Sequence, residues 1–188
     1  MAELASNISP ARERILEAAE RVVVEVGAAR MTLDGVAQAA GVSKGGLLYH
    51  FPSKESLLGA LAKRYVDNMT DCVEQAKSDT GETEGRDLKA CILGILEHQP
   101  RSKIAGMGAA LFAAAANDLT LLEVIRERIA QYTKQIEESN VEFARAAIVT
   151  LAIDGLMMRE SLRISSFTEE QRERVVQQLL QIADEAYR

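Results

Sequence analysis

Residues 41–54 read GVSKGGLLYHFPSK, placing two lysines, a histidine and a tyrosine in one short run without a carboxylate. The chain around them is acidic, with a formal net charge of −6 over 188 residues. From Gln38 to Lys54 the only formal charges are those of Lys44 and Lys54, so the acidity lies wholly outside this window. A phosphate-binding surface would therefore be confined to this window and its neighbours.

Working upstream, TLDGVAQAAGVSKGGLL (32–48) sets Ala37 four positions before Gly41, with Val36, Ala40, Val42 and Leu47 at the surrounding apolar positions. A small side chain lets two helices cross closely and a glycine makes the turn between them, which is the pattern of a helix-turn-helix. Other helical hairpins share that spacing, so the chemistry of the following residues has to decide.

The rest of the chain reads as all-α. Apolar residues recur at spacings of three and four, Trp is absent, aromatics make up only 4%, and no stretch alternates with period two between hairpin turns. Ser9 and Pro10 open a first helix that Gly27 closes, with Ile15, Ala19, Val22 and Val26 as its buried stripe. Thr32 caps a second short helix, and Ser43 caps a third. Pro52 and Ser53 start a long fourth helix, whose stripe is Leu58, Leu61, Tyr65, Met69, Cys72 and Ala76. From Lys54 to Lys77 it would span about 36 Å. The polar run SDTGETEGRD (78–87) reads as a loop. Further helices are expected over 88–98, 104–116, a stripe of Leu122, Ile125, Ile129, Tyr132 and Ile136, and then 141–164 and 168–187, about nine in all. The division expected is a three-helix head over 1–50 and a second helical part over 51–188.

The run SKGGLLYHFPSKESLL (43–58) closely resembles the signature of the tetracycline-repressor (TetR) family of transcriptional regulators. That signature is a Ser-Lys-Gly recognition helix, an aromatic-His-Phe run, and Lys-Glu opening the fourth helix. The likeness holds in motif detail over about residues 9–66; beyond, only the helix pattern and length agree. It implies a helix-turn-helix head and a second part that binds a small molecule and dimerises, the operator being released when that molecule is bound.

The residue chemistry agrees with the resemblance. Ser43, Lys44 and the bare backbones of Gly45 and Gly46 would lie at the N-terminus of the third helix, where amides favour phosphate and side chains reach base edges. Two consecutive glycines cost about 1 kcal/mol each in a helix relative to alanine, so either they mark a loop or DNA approaches closely there. Tyr49, His50 and Lys54 can each donate to phosphate oxygens. Phe51 is expected to anchor the third helix in the small core. Where the family often has a second tyrosine, this chain has Leu48, which either meets a thymine methyl or packs inside. Thr32 matches a family phosphate contact and is equally a plain helix cap.

Other function classes find little support. No GxSxG, HExxH, P-loop or GxGxxG occurs, and the only histidines are His50 and His98. Seven residues of helix would part Cys91 from His98 by about 10 Å, too far for one zinc without other ligands. No catalytic residue, metal or cofactor is expected. The two cysteines, Cys72 and Cys91, lack CxxC spacing and read as buried thiols of a cytoplasmic protein, and no apolar run reaches membrane-spanning length. A helical adaptor without DNA binding is the alternative, supported by the acidic balance.

In the second part, Met69, Met107, Met157 and Met158 with Phe112 suggest an adaptable, mainly apolar pocket. Asp154 interrupts an apolar helix and needs a cationic ligand, an arginine such as Arg159, or backbone donors. A two-fold dimer is expected on a palindromic operator, with the last two helices as its seam. The last carries apolar residues at 175, 176, 179, 180, 182, 183, 186 and 187.

Overall fold

Side-chain caps fix where the early helices begin. Thr32 Oγ1 accepts from the Gly35 amide at 3.1 Å, Ser43 Oγ from Gly46 at 3.0 Å, and Ser53 and Ser56 close a reciprocal capping box. The computed structural model describes residues 9–81, 85–97, 101–116, 118–138 and 141–186. They form α1 (Pro10–Val26), α2 (Leu33–Ala40), α3 (Lys44–His50), α4 (Lys54–Thr80), α5 (Arg86–Leu96) and α6 (Arg101–Ala115). A short 3-10 turn (Leu119–Leu122) then leads into α7 (Glu123–Glu138), α8 (Phe143–Ser161) and α9 (Glu169–Glu185). Among the described residues there is no strand.

Several local expectations shift. Ser9 precedes α1 but makes no side-chain cap, and Pro10 occupies the first helical position. The buried face of α1 is Ile15, Leu16, Ala18, Ala19 and Val23, with Val22 and Val26 only half-buried: α1 touches α2 on one side and α6 on another, which rotates its apolar face. The expected 78–87 loop is shorter, since α4 continues to Thr80 and α5 starts at Arg86. α6 begins at Arg101, three residues before the expected start. On α7 only Ile136 is buried and Ile129 is 54% exposed, because α7 lies at the margin of the molecule. Gly45 and Gly46 stand inside α3, so they do not mark a loop. His98 and Tyr187 lie outside the described residues.

Two apolar cores share α4. The first gathers Ile15, Ala19, Val36, Leu47 and Phe51 of the head around Leu57, Leu58 and Leu61 of α4, together with Met107 and Leu111 of α6. The second packs Val73 and Ala76 of α4 against Ile92 of α5, Val149 and Ile153 of α8, and Val176 and Leu179 of α9. Tyr65 touches both, and burial pushes its hydroxyl pKa up to about 12. At 27 residues α4 is about 40 Å long and joins the two cores as one rod. It is fastened to α1 through Arg64, which pairs with Glu20 at 2.8 Å and with Glu13 at 2.5 Å.

Glycines permit close helix crossings at two places that shape the fold. A Cβ on Gly94 would stand 2.6 Å from the Val73 Cα, so α5 lies directly against the α4 backbone. A Cβ on Gly106 would stand 2.7 Å from Val24 Cγ1, so α6 receives a side chain of α1 in a notch. The far end of the second core is closed by Arg172 of α9. Its guanidinium pairs with Glu97 at 2.8 Å and Glu160 at 2.7 Å and donates to the Leu96 carbonyl at 2.7 Å.

Candidate nucleic-acid interface and ligand cavity

Leu47 and Phe51, both fully buried, hold α3 against the head, and this fixes which side of that short helix faces out. The Arg12 guanidinium lies 5.2 Å over the Phe51 ring and covers its remaining edge. The outward side carries Lys44, Gly45, Leu48 and Tyr49. Tyr49 is 85% exposed, and its ring meets that of half-buried His50 edge-on at 5.0 Å. Leu48 stands outward too, which removes the option that it packs inside.

Ser43 and Thr32 use their oxygens as acceptors in the two caps, which leaves each hydroxyl hydrogen free to donate outward. A Cβ on Gly46 would press on the capping Ser43 Oγ at 3.2 Å, whereas a Cβ on Gly45 would meet nothing within 4 Å. The chain's own packing therefore gives no reason for glycine at 45. All eight residues singled out by the sequence, Thr32, Ser43, Lys44, Gly45, Gly46, Tyr49, His50 and Lys54, lie on α2's entry, α3 or α4's entry.

Both lysines are engaged within the head. Lys44 Nζ lies 3.0 Å from either carboxylate oxygen of Asp34, and Lys54 Nζ donates to the Ala29 carbonyl at 2.8 Å. The sequence reading missed Asp34 as a partner because it stands just before the acid-free window. Its place in the first turn of α2, at the same end of the head as the start of α3, is what brings it to Lys44.

The six residues expected to line a pocket do not come together. Met107 belongs to the first core and Met157 to the second, Met69 is half-buried on α4, and Phe112 is 47% exposed. Asp154 and Met158 face outward on α8. Arg159 does not pair with Asp154; its guanidinium stacks 4.9 Å over Phe167. Crowding by neighbouring atoms raises the Asp154 pKa above the ordinary carboxylate value even though solvent reaches the group in the single chain.

The described residues instead line a cavity of about 350 Å³, partly open to solvent, between α4, α5 and α7. Its apolar wall is Val73, Leu88, Cys91 and Ile136 with the Tyr132 ring, and Lys77 and Arg128 reach it from opposite sides. Burial pushes the Cys91 thiol up to about 11, against the lowering effects of its hydrogen bond with Tyr132 and of the Arg128 charge. The thiol is therefore protonated and inert at neutral pH. Arg128, Tyr132 and Ile136 recur every fourth residue, so the spacing on α7 was the sequence signal for this wall. Among the described residues no cluster of three or more His, Cys, Asp or Glu side chains could hold a metal, and no helix is long and apolar enough to cross a membrane.

A third surface lies on α8. Ile148, Leu151, Gly155, Met158 and Leu162 share one face, with Leu151 69% exposed and nothing within 4 Å of a Cβ built on Gly155. α9 turns Val176, Leu179, Ala183 and Ala186 into its own core, so the exposed apolar stripe is mainly that of α8.

Comparison with known proteins agrees with this architecture. Residues 15–61 match the family described as bacterial regulatory proteins, tetR family, and residues 85–184 match the tetracyclin repressor-like C-terminal domain. The chain is 24% identical over 176 residues to the HTH-type transcriptional regulator BetI of Stenotrophomonas maltophilia, covering 87% of this chain and 88% of that one. A transcriptional regulator from Rhodococcus superposes with a TM-score of 0.74 at 23% identity, over 94% of this chain and 97% of that one. The multidrug binding protein EbrR, solved in complex with imidazole, superposes with a TM-score of 0.64 at 22% identity, over 89% and 93%. With an exposed helix-turn-helix at one end and a helical C-terminal domain matching over more than half its length, the chain belongs to the TetR family of DNA-binding transcriptional regulators.

Proposed function

We propose that the protein is a cytoplasmic repressor that binds a palindromic operator as a homodimer and releases it when a small, mainly apolar molecule occupies the second part. Regulators of this family in general bind operator DNA and ligands and form dimers. The observation that carries the reading is the outward side of α3: a nearly free tyrosine, a lysine and a glycine whose missing side chain the fold does not need. Thr32, Ser43, Lys44, Gly45, Gly46, Tyr49, His50 and Lys54 form the DNA face. The Lys54 ammonium, with one donor on Ala29, keeps two for a phosphate.

A head over 1–50 and a sensing part over 51–188 give α4 the role of lever. It enters the head's core at one end and borders the cavity at the other. Ligand that favours a displaced α4 shifts the population away from the spacing of about 34 Å that two recognition helices need on successive major grooves. EbrR, which binds imidazole, supports sensing of small organic molecules by this fold. A cationic ligand was expected because of Asp154, but that residue lies outside the cavity. Met69, Met107 and Met157 remain proposed contacts only for a ligand that reopens the two cores, and Phe112 and Met158 only for one that reaches them from the surface. The dimer seam proposed is the α8 stripe with α9 beside it.

The test is operator binding over a range of salt, with operators mapped from bound genomic sites. Lys54→Ala is expected to weaken all sequences alike and to lower the salt slope by about one phosphate contact, and Lys44→Ala to relax base preference as well. Parental binding by both variants would refute the DNA face.

A further inference from the structure

We infer that the cavity between α4, α5 and α7 takes a small organic monoanion, an apolar body bearing one carboxylate, with Arg128 as its counter-ion. The inference rests on the reading that the second part senses a ligand. About 350 Å³ is near the small end of the ~300–1,000 Å³ of ligand sites, so the ligand is compact.

The charges around the cavity are not equivalent. Lys77 is held by Asp87 at 2.8 Å and Glu74 at 3.8 Å, and the Asp87 hydrogen bond raises the lysine's pKa above its ordinary value. Glu138 pairs with Lys134 at 3.6 Å. All three carboxylates stand at the rim, their side chains 62–67% exposed, where water screens them. Arg128 is half-buried and, among the described residues, has no ion-pair or hydrogen-bond partner.

Arg128 also acts inward. At Cys91 its charge weighs more than that of Asp87, and Lys77 acts in the same sense as Arg128. The nearby cations thus favour negative charge at the wall, but at the thiol burial outweighs them, so an anion needs direct pairing with a guanidinium to enter. A guanidinium left without a partner beside apolar surface suits a planar carboxylate, which it can meet with two parallel hydrogen bonds. The body of the ligand would lie on Val73, Leu88, Ile136 and the Tyr132 ring.

Three probes with one carbon skeleton isolate the head group: 3-phenylpropionate, 3-phenylpropylammonium and 3-phenylpropanol, titrated calorimetrically into the full chain. The carboxylate is expected to bind in preference to the other two. Arg128→Gln should weaken it about tenfold or more, with Arg128→Lys retaining part, while the melting temperature without ligand stays at the parental value because Arg128 has no partner to lose. Equal binding of the ammonium or the alcohol, no binding of the carboxylate at millimolar concentration, or unchanged binding to Arg128→Gln each overturns the inference. Operator affinity measured in the same samples separates the two claims. Arg128-dependent binding that leaves the operator bound supports this site and refutes ligand release, whereas release by the ammonium or the alcohol alone supports ligand sensing and refutes this site.

Discussion

Gly45→Ala separates what the fold requires of α3 from what DNA requires. Gly45 is the second residue of a regular helix, and a Cβ placed there meets nothing within 4 Å, so alanine enters the free protein without a clash. Alanine also restricts the unfolded chain and favours the helix, by about 0.5–1 kcal/mol. For a chain of this length that raises the melting temperature by about 1–4 °C. On the proposed DNA face the same methyl would lie between the α3 backbone and the duplex, at the helix end whose amides would approach phosphate. Displacing one charge-assisted contact costs about 1.5 kcal/mol, roughly tenfold in operator affinity. Gly46→Ala is the control: its Cβ would press on Ser43 Oγ at 3.2 Å, so it should weaken the cap and lose stability as well as affinity. Thermal melts and fluorescence anisotropy with labelled operator read the two effects. A Gly45→Ala protein of equal or higher stability that binds operator with parental affinity and salt slope would refute the close-approach argument.

Leu151→Glu sets a charge in the middle of the exposed α8 stripe and should turn a dimer into a ~20 kDa particle by light scattering with little change in helix content; a parental mass for the variant would remove α8 from the seam. Asp154 has a raised folded pKa, so the folded state holds its proton more tightly than the unfolded one, and the ionised carboxylate destabilises above that folded pKa. Asp154→Asn should therefore raise the melting temperature at pH 7, with the gain fading as pH falls toward the unfolded value near ~4; a gain equal at pH 7 and at acid pH would contradict this. Arg172→Leu strands Glu160, Glu97 and the Leu96 carbonyl, and a loss of about 3 kcal/mol is expected, near the low end for buried pairs because water reaches Glu97. Urea denaturation with a parental midpoint would show that the triad adds nothing.

The local pattern sufficed wherever neighbours along the chain decide the outcome. Thr32, Ser43 and Ser53 announce helix starts because a side-chain oxygen reaches an amide only three residues on, and Gly41 announces the turn because its φ of 65° suits a residue without a Cβ. The spacing of Leu47 and Phe51 set which side of α3 turns inward, so the outward side that carries the proposed DNA contacts was legible, whereas the Asp34 and Ala29 partners of its lysines were not. Contacts distant in sequence were not. Arg172 meets Glu97 75 residues away, and nothing in either segment names the other. Methionines that looked like one pocket are divided between two cores and, for Met158, the surface, because composition reports which side chains adapt and not which helix faces which. Asp154 was read as a buried group needing a partner, whereas tertiary packing turned that face of α8 outward. The cavity lies where α4, α5 and α7 meet, and there Asp87 and Glu74 pair with Lys77 rather than with Arg128. Caps, turns and amphipathic faces are fixed by energies within a few residues; crossings, cavities and charge partners are fixed by where those faces meet in space.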